Sequence, residues 1–192
     1  MPYYLFLIPL DGSSLLKRSN VIVYLVLFAL FAAGFLLAFF NRGDAELRRA
    51  LEENREFLIL VDGGTVATVN LQMLLDLDPQ EFTTTYSTSI SAPRETALKG
   101  VELRLLLESL DIDILNAASY VISGLDSYYS PLTREEVDAE GVVYICYSMD
   151  GQILKTQSEG GFGPFMMVIR GSAFAQRWCK YVEAVDIRQS NN

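Results

Sequence analysis

Histidine is missing from this sequence of 192 residues. Histidine is the commonest general base and a frequent zinc ligand, so its absence excludes Ser-His-Asp triads and histidine-based zinc sites. The two cysteines, Cys146 and Cys179, lie far apart in the sequence and do not make a zinc site without histidine. The sequence also lacks a Walker loop, a dinucleotide fingerprint and a Gly-x-Ser-x-Gly elbow. No standard catalytic motif remains.

Basic residues are scarce as well. The chain has 15 Lys and Arg against 24 Asp and Glu, which gives a formal net charge of -9 at pH 7. A surface this acidic repels nucleic acid and anionic lipid heads through its mean field. The charge therefore excludes nucleic acid as a partner, although one small basic pocket could still bind a single small anion.

Charge is absent altogether from residues 21–40, which read VIVYLVLFALFAAGFLLAFF. A helix of that length rises about 1.5 Å per residue and spans a hydrocarbon core of roughly 30 Å. A buried core helix would be shorter and would show a polar stripe. A cleaved signal peptide is the other alternative, but its apolar region is usually only about 7–15 residues long. We therefore predict an uncleaved signal anchor in the cell membrane.

The rest of the chain is predicted to form one domain with short appendages. Residues 1–20 form an N-terminal tail before the transmembrane helix of residues 21–40, and residues 41–56 (NRGDAELRRALEENRE) form a polar helical stalk. The globular domain covers residues 57–188, and residues 189–192 form a tail.

Within the domain, short strands and short helices are separated by turn signals. Asn70 is predicted to cap a helix over 71–77, and Thr133 with Glu136 forms a capping box. Residues 101–110 predict a helix with one apolar face, while 91–94 are predicted to form a loop. Strands are predicted at residues 57–61, 65–69, 81–90, 119–123, 142–147, 152–156 and 185–187, and an apolar strand with Met166 and Met167 is predicted after the glycine turn. This order has no βαβ rhythm, so the expected fold class is α+β.

Three features carry possible chemistry, and each has a structural alternative. Asp126 in the Asp-Ser-Tyr turn either binds a ligand or bonds its own backbone. The glycine turn of residues 160–163 either brings backbone N–H groups to an anion or merely connects two strands. Lys180 either binds an anion or is solvent-exposed. The structural alternative is the favoured one in each case.

Five segments in order resemble the molybdopterin-binding oxidoreductase domain of the sulfite oxidase family. Residues 99–107 are similar to its Gly-Val segment with a later Leu-Leu pair, and 121–128 to its strand ending in Asp-Gly-Tyr. Residues 147–154 are similar to its Asn/Asp-Gly hairpin, 161–168 to its Gly-Pro strand, and 178–182 to its Val-Lys-Trp-Val ending. The resemblance covers about residues 57–187, nearly the whole predicted domain.

The resemblance implies a sulfite-oxidase-like domain and a molybdopterin cofactor. It also implies a set of cofactor-binding positions, which are Asp126, Tyr128, Gly161, Gly163, Arg170 and Lys180, with Lys180 at the position of a lysine that contacts the cofactor phosphate. The family holds its metal by a cysteine thiolate on the strand before the Gly-Val segment. Residues 85–89 occupy that place here and contain no cysteine, so no metal ligand is assigned.

The missing thiolate and the missing histidines favour a degenerate metal site. The predicted function is a membrane-anchored binding module with a sulfite-oxidase-like domain outside the cytoplasm, because the resemblance outweighs the Lys and Arg count around the helix. The alternative is a molybdopterin-dependent oxidoreductase with non-cysteine ligation, and a third reading is a membrane protein with an unrelated α+β fold. Cys146 and Cys179 either pair or are buried unpaired thiols, and the second is favoured.

Overall fold

The structure is a computed structural model that describes residues 13–40, 42–88, 91–112, 116–172 and 175–190. The chain divides into two compact units, Met1–Glu46 and Leu47–Asn192. The helices are α1 Ser13–Phe40, α2 Arg42–Asn54, α3 Leu71–Leu75, α4 Leu103–Ser109 and α5 Arg134–Asp138, with a 3-10 helix at Ala175–Arg177. The strands are β1 Glu56–Val61, β2 Gly64–Asn70, β3 Gln80–Thr88, β4 Ser91–Glu102, β5 Ala117–Gly124, β6 Tyr129–Thr133, β7 Val143–Met149, β8 Gln152–Ile153, β9 Met166–Ile169 and β10 Val182–Gln189.

The first unit contains α1. Its large apolar side chains between Val23 and Leu37 are mostly exposed, up to 80% at Phe31. Side chains of α1 are described for residues 23–37. Within the described part of the chain, no helix combines the length and apolarity needed to cross a membrane.

The second unit holds two five-stranded sheets. The first has the order β2-β1-β10-β5-β6, and the second has the order β3-β4-β7-β8 with β9 paired to β7. The pair β1–β10 is parallel, with Leu58 opposite Ala184, while every other described strand pair is antiparallel. Helices do not alternate with parallel strands, so the predicted α+β class is confirmed.

The two sheets share one hydrophobic core. Phe57 of β1 is fully buried, and its ring meets the ring of Phe165, just before β9, at a centroid distance of 5.1 Å. Strand β7 is buried along six of its seven residues because it lies between β4 and β9. The prediction of a central strand at 142–147 is therefore confirmed.

Local signals place several helices correctly. The side chain of Asn70 accepts a hydrogen bond from Met73 N, so it caps α3. Thr133 and Glu136 form the predicted capping box of α5. In α4 the predicted apolar face is buried, but the helix begins at Leu103 rather than at residue 101. Its first two predicted residues still pair with β7, and this ladder takes precedence over helix propensity.

Residues 91–94 form the start of β4 and not a loop. Arg94 pairs with Tyr86 of β3, and Ser91 pairs with Thr88. The Ser-Ala-Pro-Arg turn signal is overridden because these residues extend a long antiparallel hairpin. Strand β6 was not predicted from the sequence. It lies at the sheet edge, where its proline, Pro131, is tolerated.

Candidate functional site

The turn of residues 124–128 holds Asp126 and Tyr128 rigidly. Asp126 Oδ1 accepts a hydrogen bond of 3.2 Å from the Tyr128 N–H, which is the local backbone bond expected for a turn aspartate. The Tyr128 hydroxyl donates to the Gln176 carbonyl oxygen at 2.6 Å. A Cβ on Gly124 would lie 2.6 Å from the Lys180 carbonyl oxygen and 2.7 Å from Asp126 Oδ1, so the turn packs directly against the segment that carries Lys180.

The glycine turn satisfies its own backbone. The N–H groups of Gly160, Gly161 and Gly163 donate to the carbonyls of Gln157, Thr156 and Lys155, at 3.0, 2.9 and 2.7 Å. An N–H group already used in this way is not free to bind an anion. The interpretation of this turn as a backbone anion cradle is therefore not supported. The three amides fit the alternative, in which the turn only connects two strands.

A cleft of about 320 Å³ lies between the β7–β8 hairpin and the glycine turn. This volume falls within the usual range for small-molecule sites, roughly 300–1,000 Å³. Its walls combine apolar side chains with one cation, and they are Met149, Asp150, Gln152, Ile153, Leu154, Lys155, Gly161 and Phe162. The Asp150 carboxylate is already paired with Arg94 at 3.1 Å and accepts from the Ala97 N–H at 3.0 Å. Lys155 is the cation in the lining of this cleft, and after the hydrogen bonds from Thr156 it also helps to lower the pKa of the neighbouring Glu159 carboxyl.

Lys180 lies behind one wall of the cleft, against aromatic rings. Its Nζ is 4.1 Å from the centroid of Phe162 and 5.9 Å from that of Tyr86. A cation over an aromatic face is attracted by the ring quadrupole. Tyr86 also contacts Phe162 and Trp178, with centroid distances of 6.1 and 5.7 Å. We call Tyr86, Phe162 and Trp178 the aromatic cluster.

Arg170 lies away from this cluster. Its guanidinium carbon is 5.2 Å from the centroid of Phe82, four residues before Tyr86 on β3. Four residues of strand correspond to about 13 Å. A chain of contacts thus runs from the turn with Asp126 and Tyr128 to the Lys180 segment, and from Lys180 to Phe162, which lies between Gly161 and Gly163. Arg170 is separated from Lys180.

Three residues at this site were not anticipated from the sequence. Arg48 of α2 contacts the turn of residues 124–128, while Glu52 of α2 and Arg55 contact the loop of residues 154–159. The prediction treated this segment as a solvated stalk because it contains few apolar residues. The compact unit begins at Leu47 and includes most of α2. The sequence signal for these contacts was the helical spacing of charged residues. A search for hydrophobic periodicity does not detect it.

The chain is similar in fold to known structures, although not in sequence to known families. No family model matches the sequence, and no curated protein does. Among solved structures, the chain is similar to a chain of the sulfane dehydrogenase SoxCD from Paracoccus pantotrophus, with a TM-score of 0.55 and 16% sequence identity. The match covers 70% of this chain and 38% of that one, so it spans well under half of the other protein's length. The likeness shows a shared fold.

The positions of Cys146 and Cys179 favour neither a disulfide bond between them nor metal binding. Cys146 lies opposite Met166 across the β7–β9 pair, and Cys179 lies opposite Met167. Successive strand residues point to opposite faces of a sheet, so the two thiols lie on opposite faces and do not pair. Both are free and buried, as the sequence favoured. Burial raises the pKa of both thiols, for Cys179 to about 12 with help from the Asp126 and Glu183 carboxylates.

The side chains of the described residues do not fit a molybdenum site with cysteine ligation. Metal ligation by cysteine needs the thiolate, which a raised pKa disfavours. In the segment of residues 85–89, Tyr86 is only 7% exposed and is packed within the aromatic cluster; Ser89 lies outside the described residues. The described residues include no group of three or more His, Cys, Asp or Glu side chains arranged to hold a metal ion.

Proposed function

We propose that this chain is a membrane-anchored binding module built on a sulfite-oxidase-like scaffold, without metal-dependent catalysis. The observation that carries the proposal is the packing of Tyr86 into the aromatic cluster, within the segment of residues 85–89 where the family resemblance requires a thiolate ligand. The shared fold with a sulfane dehydrogenase supports the scaffold, and the packing of Tyr86 supports the loss of the metal site. The uncharged run of residues 21–40 and the exposed apolar side chains of α1 support the anchor.

The ligand that suits the cleft is a small organic anion with an apolar body. Met149, Ile153, Leu154 and Phe162 offer apolar and aromatic surface, and Lys155 offers a cation. The cleft is one-sided in charge because Arg94 already neutralises Asp150. An acidic protein with a lysine in the wall of a cleft binds an anion through that side chain and not through its mean field.

The loss of the metal site is tested on the full chain from its native host. We expect the protein in the membrane fraction, extracted by detergent and not by salt. We expect molybdenum and pterin far below one equivalent in the purified material, because no described thiolate or metal-binding cluster is present. Stoichiometric molybdenum and pterin would replace the proposal by a molybdopterin-dependent oxidoreductase with non-cysteine ligation. Recovery in the soluble fraction would remove the anchor.

Ligand binding at the cleft is tested by thermal unfolding with benzoate and with octanoate. A ligand that binds only the folded state at about ten times its dissociation constant stabilises the protein by roughly 1.4 kcal/mol, or about 3–5 °C. We expect this rise in the wild type and in Lys99→Ala, which removes a lysine outside the cleft, and no rise in Lys155→Ala. Equal shifts in both variants would place the binding elsewhere, and no shift in the wild type would contradict the ligand class.

A further inference from the structure

One face of α2 and the residue that follows it meets the domain. Arg48, Leu51 and Glu52 follow the spacing i, i+3 and i+4, which places them on one side of α2, and Arg55 follows the end of the helix in a turn with φ 53°. Leu51 is 4% exposed and is the one buried apolar residue of this face. Arg49, between them in sequence, is exposed. The segment thus has an inner side that is mainly charged.

Arg48 holds the turn of residues 124–128. Its Nη1 donates to the Leu125 carbonyl oxygen at 3.2 Å and lies 3.4 Å from Ser127 Oγ. Its Nε forms an ion pair of 3.2 Å with Glu183 of β10. The planar guanidinium reaches three partners at once, which a lysine ammonium does not do with the same fixed geometry.

Glu52 and Arg55 hold the loop of residues 154–159. The Ser158 N–H donates to Glu52 Oε1 at 2.8 Å. Arg55 Nη1 donates to the Leu154 carbonyl oxygen at 3.2 Å, and its Nη2 lies 3.7 Å from Glu159 Oε2. The helix therefore contacts a second loop, separate in sequence from the first.

The two loops support opposite parts of the candidate site. The first turn is joined to the Lys180 segment, because the Leu125 N–H donates to the Tyr181 carbonyl oxygen at 2.9 Å. The second loop carries Lys155 and accepts the N–H groups of Gly161 and Gly163. Both loops are fastened to one helix, so the position of that helix affects both parts of the site together.

The contacts between α2 with Arg55 and the two loops include ion pairs and hydrogen bonds that can break without unfolding the core. The Arg55–Glu159 ion pair joins side chains that are 34% and 51% exposed, while the Arg48 side chain is 36% exposed and that of its partner Glu183 is 16% exposed. Exposed ion pairs are weak and are screened by salt. Leu51 adds one apolar contact. A helix held in this way detaches more readily than a strand of the core.

We propose that α2 and Arg55 form a releasable strap that holds the two loops in place and so regulates access to the cleft. This inference rests on the proposed function, in which the cleft between the β7–β8 hairpin and the glycine turn takes a ligand. Along the chain, α2 begins two residues after α1 ends. The strap is therefore covalently continuous with α1, and a force on α1 acts on the strap.

Hydrogen exchange of the full chain in detergent tests the strap without any ligand. In the double variant Arg48→Ala/Arg55→Ala, we expect exchange of the Leu125, Ser127, Gly161 and Gly163 amides to rise about fivefold or more, since their loops lose hydrogen-bond partners. Amides of β7 should exchange as in the wild type, which shows that the core is still folded. The matched control Arg49→Ala removes an arginine from the outer side and should leave all these rates unchanged.

A second pair of variants removes a carboxylate instead. Glu52→Ala should speed exchange of the Ser158 amide, while Glu53→Ala should not, because no described hydrogen bond or ion pair uses Glu53. Unchanged exchange in both Arg48→Ala/Arg55→Ala and Glu52→Ala would overturn the strap. Faster exchange without any benzoate or octanoate binding would keep the strap and overturn the ligand class, so the two failures are distinguishable.

Discussion

Replacing Gly161 with alanine is expected to lower the melting temperature by about 2–12 °C. A Cβ at this position would collide with the Lys155 carbonyl oxygen and the Lys155 Cβ, and the first of these is backbone that cannot rotate away. Overpacking of this kind costs about 1–3 kcal/mol, and each kcal/mol corresponds to roughly 2–4 °C for a domain of this size. The same collision pushes the Lys155 loop away from the glycine turn and distorts the cleft.

The measurement is thermal unfolding of Gly161→Ala beside a matched control, Gly64→Ala. A Cβ on Gly64 meets the Val61 carbonyl oxygen at 3.4 Å, an ordinary van der Waals contact. We expect the control to unfold near the wild-type melting temperature and to keep its response to benzoate. We expect Gly161→Ala to unfold at a lower temperature and not to respond to benzoate. If the two variants unfold at the same temperature, the close approach of residues 155 and 161 is not a feature of the folded protein.

Phe57→Ala is expected to lose about 3–5 kcal/mol of unfolding free energy. Phe57 is fully buried and packs edge-on against Phe165, where β1 of one sheet meets the segment that enters β9 of the other. The truncation leaves a cavity at the junction between sheets. Because small domains are stable by only about 5–15 kcal/mol, this variant should be partly unfolded at physiological temperature.

Two controls bracket that loss. Phe57→Leu keeps most of the apolar volume and should cost less than about 1.5 kcal/mol. Val66→Ala, at a side chain that is 54% exposed on β2, should change stability by no more than about 0.5 kcal/mol. Denaturant unfolding of the three variants gives the free energies directly. A loss below 1 kcal/mol for Phe57→Ala would contradict a core shared between the two sheets.

The helices of the domain could be predicted because their signals are local. The Thr133–Glu136 capping box and the Asn70 cap depend on groups three residues apart, and both form as the sequence indicates. The leucine face of α4 likewise depends on residues within two turns. Each of these signals lies inside the element that it predicts.

Strand boundaries depended on partners that are distant in sequence. Ser91 and Arg94 carry a turn composition, and only their pairing with β3 makes them strand. The pairing of β1 with β10 has no local signature at all. Hydrophobic alternation identifies strands but does not say which strands are neighbours.

The candidate site was predicted in part for the same reason. The turn with Asp126 and the glycine turn have local signatures, and both lie at the site. The internal use of the glycine N–H groups depends on residues 155–157, and the contacts of Arg48 lie 77 and 79 residues away. A polar helix face that docks through hydrogen bonds looks like a solvated face until its partners are known.

The parallel pairing of β1 with β10 has a consequence for synthesis of the protein. Leu58 lies opposite Ala184, so β1 cannot pair with β10 until the residues of β10 have been synthesised. Such distant contacts close slowly, and a chain emerging from the ribosome folds from its N-terminal end. The proposed anchor therefore leaves the ribosome well before the first sheet can be completed. In the nascent chain, the proposed anchor of residues 21–40 emerges while the domain behind it is still unfolded.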